Sequence, residues 1–454
     1  MKLQDRKRIF YVFLLLFIVI GAVVVLYAEG WRINLSTFQA EKAGGVYVRS
    51  YPENAHISLN GKSVQNQSAF LSSGTFISGL FPKAYTLTLA AAGYDAWTES
   101  AQVLPSLVTE MKYAVLVPKT ALNVATSDAA VSNFFEVGGD VVATDASGTI
   151  TWLGKTIGHG VVISHSTDLK TAIIRGVNAK TGAATYSLYD FAAATSTNLS
   201  ALLQQSGVKP TATTNVFIDP YDDTGIVAQT SAQIVSIDSG TRRATVVDTA
   251  PTGEIIESPI AVSPSVMAWA RYTAGVGSAG AASGTSQIVV YDKFSGNTID
   301  GSLVVKGKIR QLAWVKNNVL GILVSDNTLY LYNVPNEQLT TLADDVKQFY
   351  PTSDGAALAA LEYHSLEVFS FTTADYYRFA LPQVADVQGL IWYKDETHLF
   401  VQYPNRVAFL DFADTSLKNL TTVSAGTDPS YDTQENSLYL IDQGQKLLRF
   451  DFPQ

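Results

Sequence analysis

The sequence predicts an all-β protein preceded by one transmembrane helix, and three observations lead to this fold class. Residues 9–28 form an apolar run without a charge, short runs of branched and aromatic residues follow it, and one two-strand pattern repeats along residues 121–454. The 454 residues include 22 Tyr and 21 Phe beside many Val, Thr and Ile, which pack well on a pleated surface. Hydrophobic residues make up 47%, which is enough to fill the cores of about three domains.

Composition excludes several kinds of site and partner. The chain contains no cysteine, and this excludes disulfides, thiolate metal sites and thiol catalysis. Its net charge is −9, although the first eight residues carry Lys2, Arg6, Lys7 and Arg8 against Asp5. The remainder is therefore acidic and has no basic stripe to neutralise phosphates, so nucleic acid is not an expected partner.

The apolar run Ile9–Ala28 has the properties of a membrane anchor. About twenty residues at a rise of ~1.5 Å each match a hydrocarbon core of ~30 Å. Tyr11, Tyr27 and Trp31 lie where aromatic rings favour the headgroup region. The lipid bilayer is thus an expected partner through residues 9–28.

The flanking charges predict the orientation of this anchor. Basic residues precede the run, and only Arg32 follows it closely, so residues 1–8 are expected in the cytoplasm and the domains outside it, at the cell membrane. A cleaved signal peptide is the alternative. Its apolar region is usually shorter, and Leu26 opposes cleavage after Ala28, so a retained single-pass anchor is favoured.

Residues 44–118 have the pattern of a small β domain, in which strand-like runs alternate with turn residues. Asn60-Gly61 is a strong hairpin signal, because both residues tolerate positive φ. Gly93 before Tyr94 predicts another tight turn.

This stretch resembles the PEGA domain, a small β-sandwich found on prokaryotic surface proteins. Pro52–Ala55 matches the motif that names the family, and Ile57–Gly61 matches its next strand and turn. Gly79–Leu89 and Gly93-Tyr94 match the segments that follow, although Asn54 replaces a Gly of the motif. The resemblance implies a β-sandwich and a surface location, and it implies no reaction.

From residue 121 onward a hairpin of two strands recurs every 30 to 50 residues or so, a period typical of propellers or solenoids. The first strand of each hairpin is apolar, and the second ends in an aromatic or acidic residue. The eight copies begin at Val141, Thr171, Gly225, Val266, Val319, Ala357, His398 and Ser437.

Most copies follow a short strand with a polar turn and precede a less regular strand. Four strands per module, repeated eight times, predict a closed β-propeller of eight blades, or seven if the copy at Val141 is only a link. The turns at Ser353-Asp354-Gly355 and Ser263-Pro264 resemble those of TolB-type and WD-like propellers. The Trp-Asp and Gly-His dipeptides of true WD repeats are absent, so this resemblance concerns the fold alone.

The ends of the repeat region predict how the ring closes. The last copy ends at Phe452 without room for a fourth strand, so Leu122–Ser127 is expected to supply it. The small residues of Ala274–Ser286 predict a flexible tip inside one hairpin.

Candidate catalytic and metal-ligating residues have weak support. None of His56, His159, His165, His364 and His398 forms a pair with helix-ligand spacing, and His159 and His165 are interpreted as exposed turn residues. Residues 148–156 imitate a phosphate-binding loop but have the wrong glycine spacing and cover a predicted strand.

Acidic and aromatic residues leave two further alternatives. Carboxylates could bind Ca²⁺, but solvated turns are favoured for the acidic groups; these are Asp219, Asp222 and Asp223, and Asp344-Asp345. Tryptophans in the predicted strands could form a glycan or peptide platform, but packing between strands is favoured; they are Trp152, Trp269, Trp314 and Trp392.

The sequence therefore predicts a membrane-anchored surface protein that is not an enzyme, with no catalytic, cofactor-binding or metal residues assigned. Its domains are residues 1–8, 9–28, 44–118 and 121–454, and its function is binding or scaffolding of an envelope protein or glycan. The alternatives are a glycan hydrolase or lyase and an envelope-assembly scaffold. Paired, desolvated carboxylates at the propeller channel would favour the enzyme.

Overall fold

A computed structural model describes residues 3–34, 38–68, 73–124, 130–178, 180–257, 260–275, 284–316, 318–412 and 419–453. The chain is mostly β, with 56% of residues in strands and 8% in helices. It divides into two compact units. Unit 1 comprises residues 1–121, 409–423 and 450–454, and unit 2 comprises residues 122–408 and 424–449.

The chain begins with helix α1 (Leu3–Ala28). Its segment Phe10–Ala28 is the one helix in the described part of the chain that is long and apolar enough to cross a membrane. Its apolar side chains are exposed rather than packed against protein, as expected for a segment that faces lipid. This helix fits either a single-pass anchor or a signal sequence.

A hairpin of β1 (Trp31–Asn34) and β2 (Gln39–Lys42) follows the helix, and then a two-sheet β-sandwich completes the first part of unit 1. The three-stranded sheet has the order β6-β3-β9, with β3 and β9 parallel, and the four-stranded sheet has the order β5-β4-β7-β8. The strands are β3 (Gly44–Tyr51), β4 (His56–Leu59), β5 (Lys62–Val64), β6 (Thr75–Leu80), β7 (Ala84–Ala90), β8 (Trp97–Gln102) and β9 (Val108–Val115).

Alternating side chains build the core of this sandwich. Along β7, Tyr85, Leu87 and Leu89 point inward while the residues between them are more exposed, as the two-residue period of a strand requires. The predicted turn at Asn60-Gly61 is confirmed, because both residues have positive φ and join β4 directly to β5.

Eight successive antiparallel sheets, here numbered sheet 1 to sheet 8, follow a short strand β10 (Leu122–Asn123). Most of their strands belong to unit 2, whereas parts of β39, β40 and β43 belong to unit 1. Sheets 1 to 3 are four-stranded meanders, and helix α2 (Leu199–Gln205) precedes sheet 3. Their strands are β11 (Val131–Val137), β12 (Asp140–Asp145), β13 (Thr149–Trp152) and β14 (Lys155–His159); β15 (Val161–His165), β16 (Thr171–Val177), β17 (Ala184–Asp190) and β18 (Thr195–Asn198); β19 (Asn215–Ile218), β20 (Gly225–Gln229), β21 (Gln233–Asp238) and β22 (Arg243–Thr249).

Sheet 4 has six strands, because two short segments pair with each of its central strands, whereas sheets 5 to 7 are again four-stranded. Sheets 4 and 5 contain β23 (Glu254–Ile256), β24 (Ala261–Val262), β25 (Val266–Thr273), β26 (Thr285–Asp292), β27 (Thr298–Asp300) and β28 (Val304–Lys306); β29 (Ile309–Lys316), β30 (Val319–Val324), β31 (Leu329–Asn333) and β32 (Gln338–Ala343). Sheets 6 and 7 contain β33 (Val346–Pro351), β34 (Ala357–Glu362), β35 (Leu366–Ser370) and β36 (Tyr376–Phe379); β37 (Gly389–Trp392), β38 (His398–Tyr403), β39 (Arg406–Asp411) and β40 (Asn419–Ser424).

Sheet 8 joins the two ends of the repeat region. Its strands β41 (Thr427–Asp432), β42 (Ser437–Ile441) and β43 (Leu447–Asp451) are completed by β10, since Leu122 pairs with Arg449. The prediction that Leu122 begins the missing outer strand is therefore confirmed, while residues 125–127 of the same prediction lie outside the described residues.

The hairpin prediction is confirmed for all eight copies, because each copy supplies the two central strands of one sheet. Residues 148–156 contribute β13 and the start of β14, as the rejection of a phosphate-binding loop requires. Residues 276–283, the middle of the predicted flexible tip, lie outside the described residues.

Candidate binding cleft

The first strands of successive sheets in unit 2 lie side by side. β15 contacts β19, β24 contacts β29, β29 contacts β33, β33 contacts β37, and β41 contacts β11. Hydrogen bonds join strands of neighbouring sheets, for example from Ile218 N to Ser164 Oγ at 3.0 Å and from Trp392 Nε1 to the Tyr350 carbonyl at 2.8 Å. The turns that follow these first strands consequently gather at one end of unit 2.

A cleft of about 410 Å³ opens among the turns of sheets 3 to 6 and is called the loop cleft here. It combines two aromatic side chains with hydroxyl, amide and carboxylate groups, the mixture that small-ligand sites use for contact area and orientation. Its lining residues are Tyr221, Ser263, Pro264, Ser265, Val266, Trp314, Val315, Lys316, Asn318, Thr352, Ser353, Asp354 and Gly355.

Local sequence determines the turn that carries Asp354. The Asp354 side chain accepts a hydrogen bond from Ala356 N at 3.0 Å, and Gly355 has φ of +73°. A Cβ at Gly355 would lie 2.8 Å from the Val315 carbonyl oxygen, so only glycine lets this turn pack against sheet 5. The turn singled out in the sequence thus forms part of the loop cleft.

Asp354 is one member of a carboxyl pair. Its side chain interacts with that of Glu396, in the corresponding turn of sheet 7, and the hydrogen bond between them lowers the pKa of Asp354. Burial and the bond with Asp354 raise the pKa of Glu396 to about 7. Because two neighbouring carboxylates repel each other, Glu396 is partly protonated beside an ionised Asp354 near neutral pH.

A second titratable pair lies directly beside the first. The His398 side chain is fully buried, and its Nδ1 lies 2.8 Å from an Asp395 oxygen. Although burial opposes ionisation of Asp395, the bond with His398 lowers the pKa of this carboxyl. The Asp395–His398 pair holds in place the turn that presents Glu396.

In the acidic cluster of sheet 3, the interpretation as a solvated turn is wrong for Asp219 but confirmed for Asp222 and Asp223, which are exposed. Asp219 is buried, and its carboxylate forms an ion pair with Lys293, which also donates to the Ser263 carbonyl at 3.0 Å. Asp222 accepts from Thr224 within its own turn. Among the described residues no group of three or more His, Asp or Glu side chains could hold a metal ion.

The interpretation of His159 and His165 as exposed turn residues is wrong in part. Both lie at strand ends, and His165 stacks on Phe135 with ring centroids 4.5 Å apart, so burial lowers its pKa. Only His159 is exposed. Sequence spacing could not reveal this, because Phe135 belongs to the neighbouring sheet.

The tryptophans divide between packing and the loop cleft. Trp269 is fully buried and donates to Asp248 at 2.7 Å, and Trp152 packs edge-on against Phe191. Trp314 packs partly against the core formed by sheets 4 and 5 and also lines the loop cleft. Packing is thus confirmed for Trp269 and Trp152.

Asp344-Asp345 lines another opening, of about 480 Å³, where two buried glutamates flank Arg378. The Arg378 guanidinium lies 3.1 Å from a Glu362 oxygen and 3.4 Å from a Glu367 oxygen. These carboxylates are already compensated by a cation, so the cluster has a structural role in sheet 6.

Sequence analysis missed Tyr221, Lys293, Asp395 and Glu396. Three of them, all but Lys293, lie in turns after first strands, so an alignment of those turns among the eight copies could have identified them as one surface. Their charges gave no such signal, since acidic turn residues are common in any acidic chain.

No protein-family model and no curated protein sequence matches the chain. Solved structures match it at low identity. An oligogalacturonate lyase in complex with manganese has a TM-score of 0.49 and 11% identity, over 71% of this chain and 96% of that chain. Oligogalacturonate lyase from Vibrio parahaemolyticus has 0.46 and 10%, over 70% and 96%. Dipeptidyl peptidase 4 of Porphyromonas gingivalis has 0.49 and 11%, over 70% and 59%.

The prediction that the chain is not an enzyme is wrong as a conclusion from sequence. That prediction rested on missing sequence motifs, whose absence carries no conclusion about catalysis. The structures that match at 10 to 11% identity include two lyases and a peptidase. Sequence motifs also gave no indication of the Asp354–Glu396 pair, because its members come from different sheets. The similar structures are propeller-type proteins, and the chain has a β-propeller-like fold behind one N-terminal apolar helix.

Proposed function

We propose that this chain is a membrane-anchored extracytoplasmic protein that binds a cell-envelope glycan in the loop cleft. One observation carries the proposal: turns from four sheets bring Tyr221 and Trp314 together with several hydroxyl groups and the Asp354 carboxylate. Aromatic faces offer rigid apolar area, and fixed polar groups recognise hydroxyls by hydrogen bonds. A sugar ring presents both kinds of surface.

The remaining architecture fits this role. In the proposal, α1 is a retained anchor with residues 1–8 in the cytoplasm, and the sandwich at residues 44–118 is a PEGA-like spacer. Residues 121–454 form a closed propeller of eight blades, supported by the eight sheets and by the pairing of β10 with β43. A glycan partner also suits the acidic surface, which gives no advantage to polyanions.

Calorimetric titration of the detergent-solubilised chain with envelope polysaccharide fragments tests the proposal. Tyr221→Ala is expected to weaken binding at least tenfold, because Tyr221 is an exposed aromatic of the loop cleft. Tyr363→Ala is the matched control, since this tyrosine is also exposed but lies in another turn. Equal binding by both variants, or no binding by the unaltered chain, would refute the proposal.

A second candidate, cleavage of the bound glycan, is favoured by the Asp354–Glu396 pair. A carboxyl pair that shares one proton supplies one acid and one base, which is what acid–base cleavage requires. Release of new sugar ends by the unaltered chain, lost in Glu396→Gln with binding retained, would support cleavage. Binding without any release would leave recognition as the function.

A further inference from the structure

The loop between β8 and β9, Leu104–Val108, exposes an apolar surface at one end of the sandwich. Leu104, Leu107 and Val108 are 48%, 56% and 48% exposed, although Val103 just before them is fully buried. Three neighbouring aliphatic side chains with half of their area in water form a patch that soluble proteins usually cover.

Backbone hydrogen bonds connect this loop to the end of the apolar helix. The Gly30 carbonyl accepts from Ala43 N at 2.9 Å, and the Ala43 carbonyl accepts from Ser106 N at 3.1 Å. Gly30 itself is bonded to the last turn of the helix, through Tyr27 O at 3.2 Å. The loop is therefore attached to the helix end by a short, continuous path within unit 1.

Close packing holds the loop in that place. A Cβ at Gly44 would lie 2.2 Å from the Leu104 carbonyl oxygen, so the loop rests directly on the glycine backbone. Gly45 N donates to the Leu107 carbonyl at 3.0 Å, and Val103 N donates to the Lys83 carbonyl at 3.0 Å. The loop cannot move relative to Ala43 and the start of β3 without breaking several of these bonds.

The lengths of these hydrogen bonds limit how far the loop can lie from the end of the helix. Two hydrogen bonds and one residue separate Gly30 O from Ser106 N, which is a path of about 10 Å at most. Each headgroup region of a bilayer is roughly 5–8 Å thick. We infer that Leu104, Leu107 and Val108 insert into the outer headgroup region and seat the sandwich on the membrane; this inference rests on the proposed anchor.

The charges around the loop suit a lipid surface. Lys83 is exposed beside the loop, and Lys62 is exposed at the same end of the four-stranded sheet, after the turn at Asn60-Gly61. Exposed cations at this depth are attracted to anionic headgroups. The apolar residues, the flanking lysines and the nearby end of the apolar helix together favour a bilayer as the partner of this surface.

The absence of cysteine makes the depth measurable. Leu107→Cys in the full chain, labelled with an environment-sensitive fluorophore, is reconstituted in vesicles of phosphatidylcholine and phosphatidylglycerol with brominated acyl chains. We expect a blue-shifted emission and several-fold stronger quenching than for Ala92→Cys. Ala92 is an exposed residue after the far end of β7, about 20 Å along the strand from the loop.

A label at a third position tests insertion of the helix separately from insertion of the loop. Val19→Cys, in the middle of α1, reports whether the helix enters the bilayer. Quenching at position 19 but not at 107 would overturn the inference and leave the anchor standing, whereas no quenching at either position would refute both. A blue shift at 107 that depends on protein density rather than on brominated lipid would assign the patch to a second copy and also overturn the inference. In Leu104→Ser with Val108→Ser, the quenching at 107 is expected to fall towards that at 92.

Discussion

Different side-chain hydrogen bonds connect the sheets at two junctions of unit 2. Between sheets 5 and 6, which follow one another in the chain, the Gln311 side chain accepts from Phe349 N at 3.0 Å and donates to the Phe349 carbonyl at 2.6 Å. Both groups of the amide are used, and neither carries a charge. The Gln311 bonds therefore contain no titratable group, and Arg310 also donates to the Lys347 carbonyl across this junction at 3.1 Å.

Between sheets 8 and 1, at the two ends of the repeat region, carboxylate side chains form the hydrogen bonds across the junction. Glu136 accepts from Ser430 Oγ at 2.8 Å, and Asp432 accepts from Gly139 N at 3.0 Å. The second oxygen of Glu136 is buried without a hydrogen-bond partner among the described residues. Burial raises the pKa of Glu136 to about 7, so the closing junction depends on pH where the other does not.

Removal of the last hairpin, formed by β42 and β43, is expected to have the largest effect on the closing junction. A chain that stops before Ser437 loses the strands that pair with β10, and exposed strand edges invite aggregation. We expect it to aggregate or to melt many degrees lower, whereas trimming Pro453 and Gln454 should have little effect. A shortened chain that stays monomeric with a nearly unchanged melting curve would indicate an open array, in which losing a terminal repeat costs about one interface.

The pH dependence of the closing junction comes next. Because the pKa of Glu136 rises from 4.5 unfolded to about 7 folded, the folded state binds the extra proton, and stability falls as pH rises through this range. Between pH 5 and pH 8 the free energy of unfolding should fall by about 2 to 3 kcal/mol, at about 1.4 kcal/mol per pKa unit. Glu136→Gln should remove this part of the dependence in urea melts at pH 5 and pH 8. Equal slopes for both proteins would contradict it.

Transfer of a carboxyl group to the neutral junction sharpens the comparison. In Gln311→Glu, the ionised carboxylate can accept a hydrogen bond from Phe349 N but cannot donate one to the Phe349 carbonyl. We expect a loss of about 1 to 3 kcal/mol at pH 8 that shrinks at pH 5, when the new carboxyl is protonated. Gln311→Ala is the control, because its loss should be the same at both pH values.

The smallest expected effect concerns the donor to Glu136. Ser430→Ala removes the side-chain hydrogen bond that Glu136 accepts, so the pKa of Glu136 should rise further and the pH-dependent loss should begin at higher pH. A destabilisation of about 1 kcal/mol at pH 8 is expected, with almost none at pH 5. Carbon NMR of selectively labelled Glu, with Glu136→Gln for assignment, would measure the shift. An unchanged pKa would show that burial alone controls this carboxyl.

Strands and turns were predictable because their causes are local. The alternation in β7 and the positive-φ pair at Asn60-Gly61 depend on neighbours a few residues away, and all eight hairpins were recognised in this way. The chain ends of the repeat region also limited where β10 could pair. The apolar run at residues 10–28 was equally clear, since length and composition suffice to recognise it.

The loop cleft could not be predicted, because its chemistry comes from residues far apart in the chain. Asp219 looked like a solvated carboxylate, yet Lys293, 74 residues later, compensates it in the folded protein. Asp354 and Glu396 look like ordinary turn residues until two sheets bring them into one hydrogen bond. Sequence by itself determined the strands, their hairpins and the apolar helix, whereas tertiary structure alone decided which charges are buried, which are paired and which share a proton. The reason is that desolvation and charge pairing depend on distance in space, for which separation along the chain is no guide.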